Sequence, residues 1–166
     1  MMFVNHQTLG LGAGLAVIKH FGAYLPQTSL MFAIPLMMLG ILLPDIDTPH
    51  SYLGRRVPFI SYPLFRLFGH RGMTHSLLFS LGIMYFLHNS EFDFSFWIGF
   101  GCLLHLLADM CTKSGVPLLW PLPKRFNTII TVSTGDVSEY FIAWAVFIVG
   151  TGYYFDVLPY ILAFAL

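Results

Sequence analysis

Five apolar stretches divide the chain, at residues 9–24, 29–43, 73–88, 94–110 and 140–155, and the ionisable residues collect in alternate connections between them. Each stretch is 15 to 17 residues long. A helix that crosses the hydrocarbon core needs about 20 residues. These are therefore short spans, accommodated by a thinned bilayer or by flanking turns that lengthen them. The connection over residues 44–72 carries Arg55, Arg56, Arg66 and Arg71, and that over 111–139 carries Lys113, Lys124 and Arg125. Connections 25–28 and 89–93 carry no Lys or Arg, so seven of the eight basic residues fall on one side. Basic loops stay in the cytoplasm, which places both long loops and the N-terminus there. Lys19 and His20 interrupt the first stretch, and Lys19 is expected to snorkel. The last apolar piece, 157–166, is broken by Pro159 and reads as a re-entrant or interfacial end. The expected fold is an all-α membrane protein, a bundle of about five short transmembrane helices forming one membrane-embedded domain over residues 1–166.

Composition excludes the main alternatives. Hydrophobic residues make up 57% and charged residues 10%, against about 25% charged in an ordinary soluble domain. So few charges cannot coat a water-soluble globule of this size. Seventeen Phe, eight Tyr and three Trp suit a lipid-facing surface with aromatic belts. With zero net charge and few basic residues there is no nucleic-acid footprint. Cys102 and Cys111 form neither a disulfide framework nor a metal-finger spacing. No Lys or Arg precedes the first apolar run and no clear cleavage site follows it, so a signal peptide is not expected.

Three motifs carry chemistry. Leu43-Pro44-Asp45-Ile46-Asp47 follows the second stretch. Pro44 disfavours helix at Leu43, and two carboxylates at i and i+2 of an extended segment point the same way. Asp45 and Asp47 are then hard ligands for a divalent cation. Gly69-His70-Arg71-Gly72-Met73-Thr74-His75-Ser76 opens the third stretch. His70 and His75 offer imidazole ligands. Arg71 and the helix N-terminus favour an anionic group. His105-Leu106-Leu107-Ala108-Asp109 sets His105 and Asp109 on one face of the fourth stretch. An ionisable pair inside an apolar helix is costly and faces the bundle interior. A structural His–Asp lock between two helices is the bland alternative.

His6 is a further candidate ligand by position. Glu139 is a candidate proton-transfer residue, or else an acid favoured by the helix dipole. His50 reads as a ligand or as part of a turn, whereas His20 and His88 fall toward the opposite face and are excluded. The first two stretches enter with His6 and leave with Asp45, and the next two enter with His75 and leave with Asp109. This echo predicts two parallel helical-hairpin repeats followed by a C-terminal helix, jointly enclosing a metal.

At these residues the sequence resembles the YdjM family of bacterial inner-membrane proteins regarded as metal-dependent hydrolases, some regulated by LexA. The resemblance rests on the three motifs and on Gly115 before an apolar, proline-bearing segment. It implies a membrane-bound hydrolase in the cytoplasmic membrane and leaves the substrate open. A more distant similarity to zinc-dependent phospholipase C, in a Pro-Asp segment and a later His-x-x-x-Asp, points toward phosphoester cleavage.

The combined expectation is a metal-dependent hydrolase at the cytoplasmic face of a multi-pass bacterial inner-membrane protein. Zinc is favoured over Mn or Mg, as one ion or two. Two are favoured because Asp45, Asp47, His70, His75, His105 and Asp109 exceed the three protein ligands of a catalytic zinc. The metal would activate water, Arg71 would hold the anionic group and Glu139 would move the proton. Expected partners are membrane lipids and a lipid-like or amphiphilic phosphoester, with residues 115–123 dipping into the interface beside it. A homo-oligomer is compatible with the sequence. The competing readings are a metal-ion or proton transporter, which should hold its ions near the midplane, and a structural protein in which metal only staples helices.

Overall fold

The computed structural model describes residues 1–86 and 94–158. Among them are six α-helices and no β-strand beyond two isolated bridges. They are α1 (Phe3–Phe21), α2 (Leu30–Leu42), α3 (Pro58–Phe68), α4 (Leu77–Phe86), α5 (Phe94–Met110) and α6 (Val137–Tyr154). The all-α expectation holds. One segment, Leu30–Asp47, is long and apolar enough by itself to cross a membrane. His88, the 89–93 connection and Pro159 with the residues after it lie outside the described residues.

Helix α5 is the centre of the bundle. It packs against α2, α4 and α1, while α1 packs against α6. Two of these contacts depend on missing side chains. A Cβ on Gly40 would stand 2.0 Å from the Ile98 carbonyl oxygen and 3.0 Å from Gly101 Cα. A Cβ on Gly150 would stand 2.0 Å from the Gly12 carbonyl oxygen. Backbone thus meets backbone at α2–α5 and at α1–α6, an approach that only residues without a side chain permit. Met37, Ile41 and Leu104 fill the α2–α5 seam. Large apolar side chains such as Met31, Leu78, Phe141 and Trp144 remain exposed on the outer faces.

Four local features depart from the sequence reading, and each moves a functional residue. Helix α1 begins at Phe3 rather than near Leu9, so His6 sits inside its first turns. Leu43–Asp47 continues α2 as a 3-10 turn instead of an extended segment. At about three residues per turn, positions i and i+2 diverge by roughly 120°, so Asp45 and Asp47 cannot point the same way. Residues 58–68 form the unanticipated helix α3, with Pro58 at its start and exposed Phe59, Tyr62, Phe65 and Leu67. Finally, the helix of the third stretch begins at Leu77, after a 3-10 turn over Met73–His75. Ser76 caps it, its Oγ accepting from Phe79 N at 3.2 Å. The Leu77 N–H donates to the Leu118 carbonyl at 2.9 Å. These bonds occupy part of the α4 N-terminus, which was expected to receive an anion.

Residues 111–136 fold back over the end of the bundle. Bridges Thr112–Val132 and Val116–Phe126 tie this loop together, and the Thr112 hydroxyl anchors it by donating to the Asp109 carbonyl at 2.7 Å. The loop roofs the side chains described next.

Candidate metal centre

Four elements deliver imidazoles and carboxylates to one buried cluster. Helix α1 brings His6, the turn after α2 brings Asp45 and Asp47, the turn before α4 brings His75, and α5 brings His105 and Asp109. His105 is held by its ring Nδ1, which donates to the Ile41 carbonyl at 2.7 Å. That bond sets the tautomer and leaves the Nε2 lone pair aimed inward. His75 is held in the same manner, its Nδ1 facing Asp47 Oδ2 at 3.3 Å and Thr74 Oγ1 at 3.2 Å.

The two Nε2 atoms lie 3.3 Å apart. Asp45 Oδ1 stands 3.6 Å from His75 Nε2 and 3.8 Å from His105 Nε2. Asp109 Oδ2 stands 3.7 and 3.8 Å from the same two atoms. Tetrahedral zinc with bonds of about 2.0–2.2 Å sets its donors roughly 3.3–3.6 Å apart. Both triangles built on the His75–His105 edge are therefore close to the size of one face of such a site. The donor set of two neutral imidazoles and two carboxylates also suits zinc or a related divalent ion. Burial by itself would depress the His75 pKa, but Asp45 and Asp47 outweigh it and hold the imidazole well above its ordinary range.

The other expected site residues take different places. Asp47 is buried behind His75 rather than beside Asp45. Its Oδ2 accepts from the Arg71 N–H at 3.0 Å and the Thr74 hydroxyl at 2.7 Å, and its Oδ1 from the Thr48 hydroxyl at 2.9 Å. His70 is half-exposed at the rim, with Nδ1 3.4 Å from Asp47 Oδ1. His6 stacks on the His105 ring at 4.0 Å between centroids, and its Nε2 approaches Asp109 Oδ1 at 3.2 Å. That oxygen also accepts from Arg71 Nη2 at 2.8 Å and from the Met1 amine at 2.8 Å, so Asp109 turns Oδ1 to these donors and Oδ2 to the histidines. His6, His105 and Asp109 make a second group of metal-ligand size, which shares His105 with the group of Asp45, His75 and His105.

Glu139, the candidate for proton transfer, lies outside the cluster and is tied up by other donors. It is fully buried, and its oxygens accept from the Met2 N–H, from Asn5 Nδ2 at 2.7 Å and from the Gly135 N–H at 2.6 Å. Those donors make it a clamp between the N-terminal ends of α1 and α6, and it does not line the cavity beside the cluster. His20 pairs instead with the Tyr153 hydroxyl at 3.2 Å, close to the Lys19–Asp156 ion pair.

A cavity of about 380 Å³ opens beside the cluster, lined by Met1, Asp45, His70, Arg71, Asp109, Ser114, Arg125 and Thr134. The sequence reading missed Ser114, Arg125 and Thr134, because nothing in their local pattern distinguishes them from other polar loop residues. Arg71 is nine-tenths buried and takes φ 56°, a left-handed conformation that costs a non-glycine residue about 1–2 kcal/mol. The surrounding bonds offset this strain, which aims the guanidinium at Asp109.

Residues 1–165 match the family described as YdjM inner membrane protein. Over 123 residues the chain is 46% identical to proteins named inner membrane protein YdjM from Escherichia coli (strain K12) and Shigella flexneri, covering 69% of this chain and 63% of each relative. It is 38% identical over 104 residues to the uncharacterized protein YvsG of Bacillus subtilis (strain 168), covering 61% of this chain and 64% of that one. The matches thus span less than two thirds of the length of these curated relatives. No solved structure matches.

Proposed function

The chain belongs to the YdjM inner membrane protein family, and on that premise we propose that it is a membrane-embedded hydrolase. It uses one divalent cation, zinc in the first instance, to cleave a lipid-like phosphoester at the cytoplasmic face. The observation that carries this reading is the pair of imidazole Nε2 atoms 3.3 Å apart, each with its Nδ1 engaged from behind and with a carboxylate oxygen on either side. His75, His105, Asp45 and Asp109 hold the ion, with His6 reinforcing Asp109. One ion replaces the expected two, because the overlapping ligand groups both require His105, whose Nδ1 is already committed to Ile41.

Membrane embedding supports the same reading. Helices α1, α2, α4, α5 and α6 are the proposed spans, and their outer faces carry exposed large apolar side chains. Among the described residues, the seven basic residues of the two long loops share the end that holds the cluster, which favours a cytoplasmic orientation. His6 of the first hairpin meets Asp109 of the second, while His75 of the second meets Asp45 of the first. Crossed pairing of this kind is what two parallel repeats about a common axis would produce.

When bound, the cation supplies Lewis acidity toward a water and an ester oxygen. The rest of the work falls to the protein. Asp47 and the Ile41 carbonyl keep His75 and His105 in the ligating tautomer. Arg71 pins Asp109 and brings positive charge to the cavity. His70, at the rim and within reach of Asp47, is the group assigned to carry a proton to the leaving oxygen. Exposed Leu119 and Leu122 beside the roof, with the apolar face of α3, favour an amphiphilic substrate. The test is turnover of phosphatidyl and isoprenyl phosphates by purified, metal-loaded protein in lipid nanodiscs. Hydrolysis that disappears in His105→Ala supports the reading. Metal flux into liposomes without turnover of any ester would replace it with transport.

A further inference from the structure

We infer that Arg71 and Arg125 form an anion subsite for a phosphoryl group, in the cavity that Asp45 and Asp109 also line. Arg71 Nη1 and Arg125 Nη1 each lie 3.4 Å from the same oxygen, the carbonyl of Gly115. Two guanidinium groups drawn onto one neutral acceptor repel each other unless an anion joins them. Arg71 has Asp109 as partner. Arg125 has no carboxylate partner among the described residues, and its bonds go to the Ser114 and Gly115 carbonyls at 3.3 and 3.4 Å. A second observation points the same way: Arg71 Nε is buried without a hydrogen-bond partner among the described residues, although the side chain is nine-tenths enclosed. An unsatisfied buried donor of this kind costs about 1–3 kcal/mol, and an oxyanion would satisfy it.

The cavity wall completes the subsite. Ser114 and Thr134 line it, and neither hydroxyl is hydrogen-bonded among the described residues. Two planar forks and two hydroxyls supply more donors than a carboxylate can accept and suit the several oxygens of a phosphoryl group. Gly115 sets this geometry from below. Its φ is 59° and a Cβ would lie 2.6 Å from Asn127 Oδ1, so a larger residue would displace the carbonyl that both arginines use. The choice of phosphoryl over other oxyanions rests on the hydrolase reading, and so does the need for metal, because Asp45 in the same lining would repel an anion until a cation neutralises it.

Binding of inorganic phosphate to purified full-length protein in detergent, with and without stoichiometric Zn or Mn, tests the inference through the shift of thermal unfolding. Arg125 is exposed and pairs with no acid among the described residues, so Arg125→Ala is suited to the test where buried Arg71 is not. The metal-loaded wild type is expected to bind phosphate, Arg125→Ala to bind at least about tenfold more weakly, and Lys124→Ala, outside the cavity lining, to bind as the wild type does. Equal binding by wild type and Arg125→Ala overturns the subsite. So does equal weakening in Lys124→Ala, or a metal-loaded wild type that ignores phosphate. Phosphate binding that depends on Arg125 in a protein without ester turnover leaves the subsite standing and removes the hydrolase reading alone.

Discussion

Replacing Asp47 by asparagine separates the carboxylate behind the cluster from those in front of it. Asp47 Oδ2 faces His75 Nδ1 at 3.3 Å and also accepts from Thr74 and the Arg71 backbone. An asparagine oxygen can keep some of those bonds, but it carries no charge to favour a proton on His75 Nδ1. If its amide nitrogen takes that place, the imidazole shifts its proton to Nε2, the atom assigned to the metal. Losing such an orienting carboxylate costs about 10–100-fold in metal affinity, or roughly 1.4–2.7 kcal/mol at the tenfold-per-1.36 kcal/mol conversion. The assay is competition against a chromophoric zinc chelator, with circular dichroism to confirm that the helices persist. Asp109→Asn should weaken binding further, because it removes a proposed ligand together with the partner of Arg71. A folded Asp47→Asn protein with wild-type affinity would refute the positioning role and the tautomer argument behind it.

Three further predictions address other parts of the structure. Glu139→Gln should lower thermal stability by about 1.5–3 kcal/mol, the scale of hydrogen bonds to a charged acceptor, while leaving metal content at the wild-type level; loss of metal with unchanged stability would return Glu139 to the site. Gly40→Ala should lower the unfolding temperature, because its Cβ would meet backbone of α5 rather than a side chain that can turn away; an unchanged transition would contradict the close α2–α5 approach. Cysteines placed at Arg55 and Lys113 should react with a membrane-impermeant thiol reagent only from the cytoplasmic side of vesicles, and one at Gln27 only from the other, with Cys111→Ser as background; any mixing of the sides would reject the proposed topology.

Much of the candidate cluster is legible in the sequence because its members carry long-range information in short motifs. His105 and Asp109 sit one helical turn apart in an apolar helix, a placement with few explanations other than a buried polar partner. The basic residues of the two long loops mark one end of the bundle without reference to any contact. What the sequence did not convey depends on geometry at the scale of one turn. Asp45 and Asp47 look equivalent in Pro-Asp-Ile-Asp, yet the 3-10 turn sends them to opposite nitrogens of His75. Helix α3 lies in a connection with no long apolar run and carries Pro58 and Pro63, although Pro58 occupies the first turn, where its missing N–H costs little. Glu139 shares the level of the cluster along the bundle, but its place outside the cavity lining follows from α6 packing on α1, a pairing no motif announces. Arg125 became visible only when the loop closed over Asp109.

X-ray absorption at the zinc edge of purified, zinc-loaded protein tests the central claim most directly. Two imidazole nitrogens and carboxylate oxygens at about 2.0–2.2 Å, with the nitrogen signal reduced in His75→Ala and His105→Ala, is the predicted result. A protein that keeps no stoichiometric zinc, or a first shell containing sulfur from Cys102 or Cys111, would contradict it.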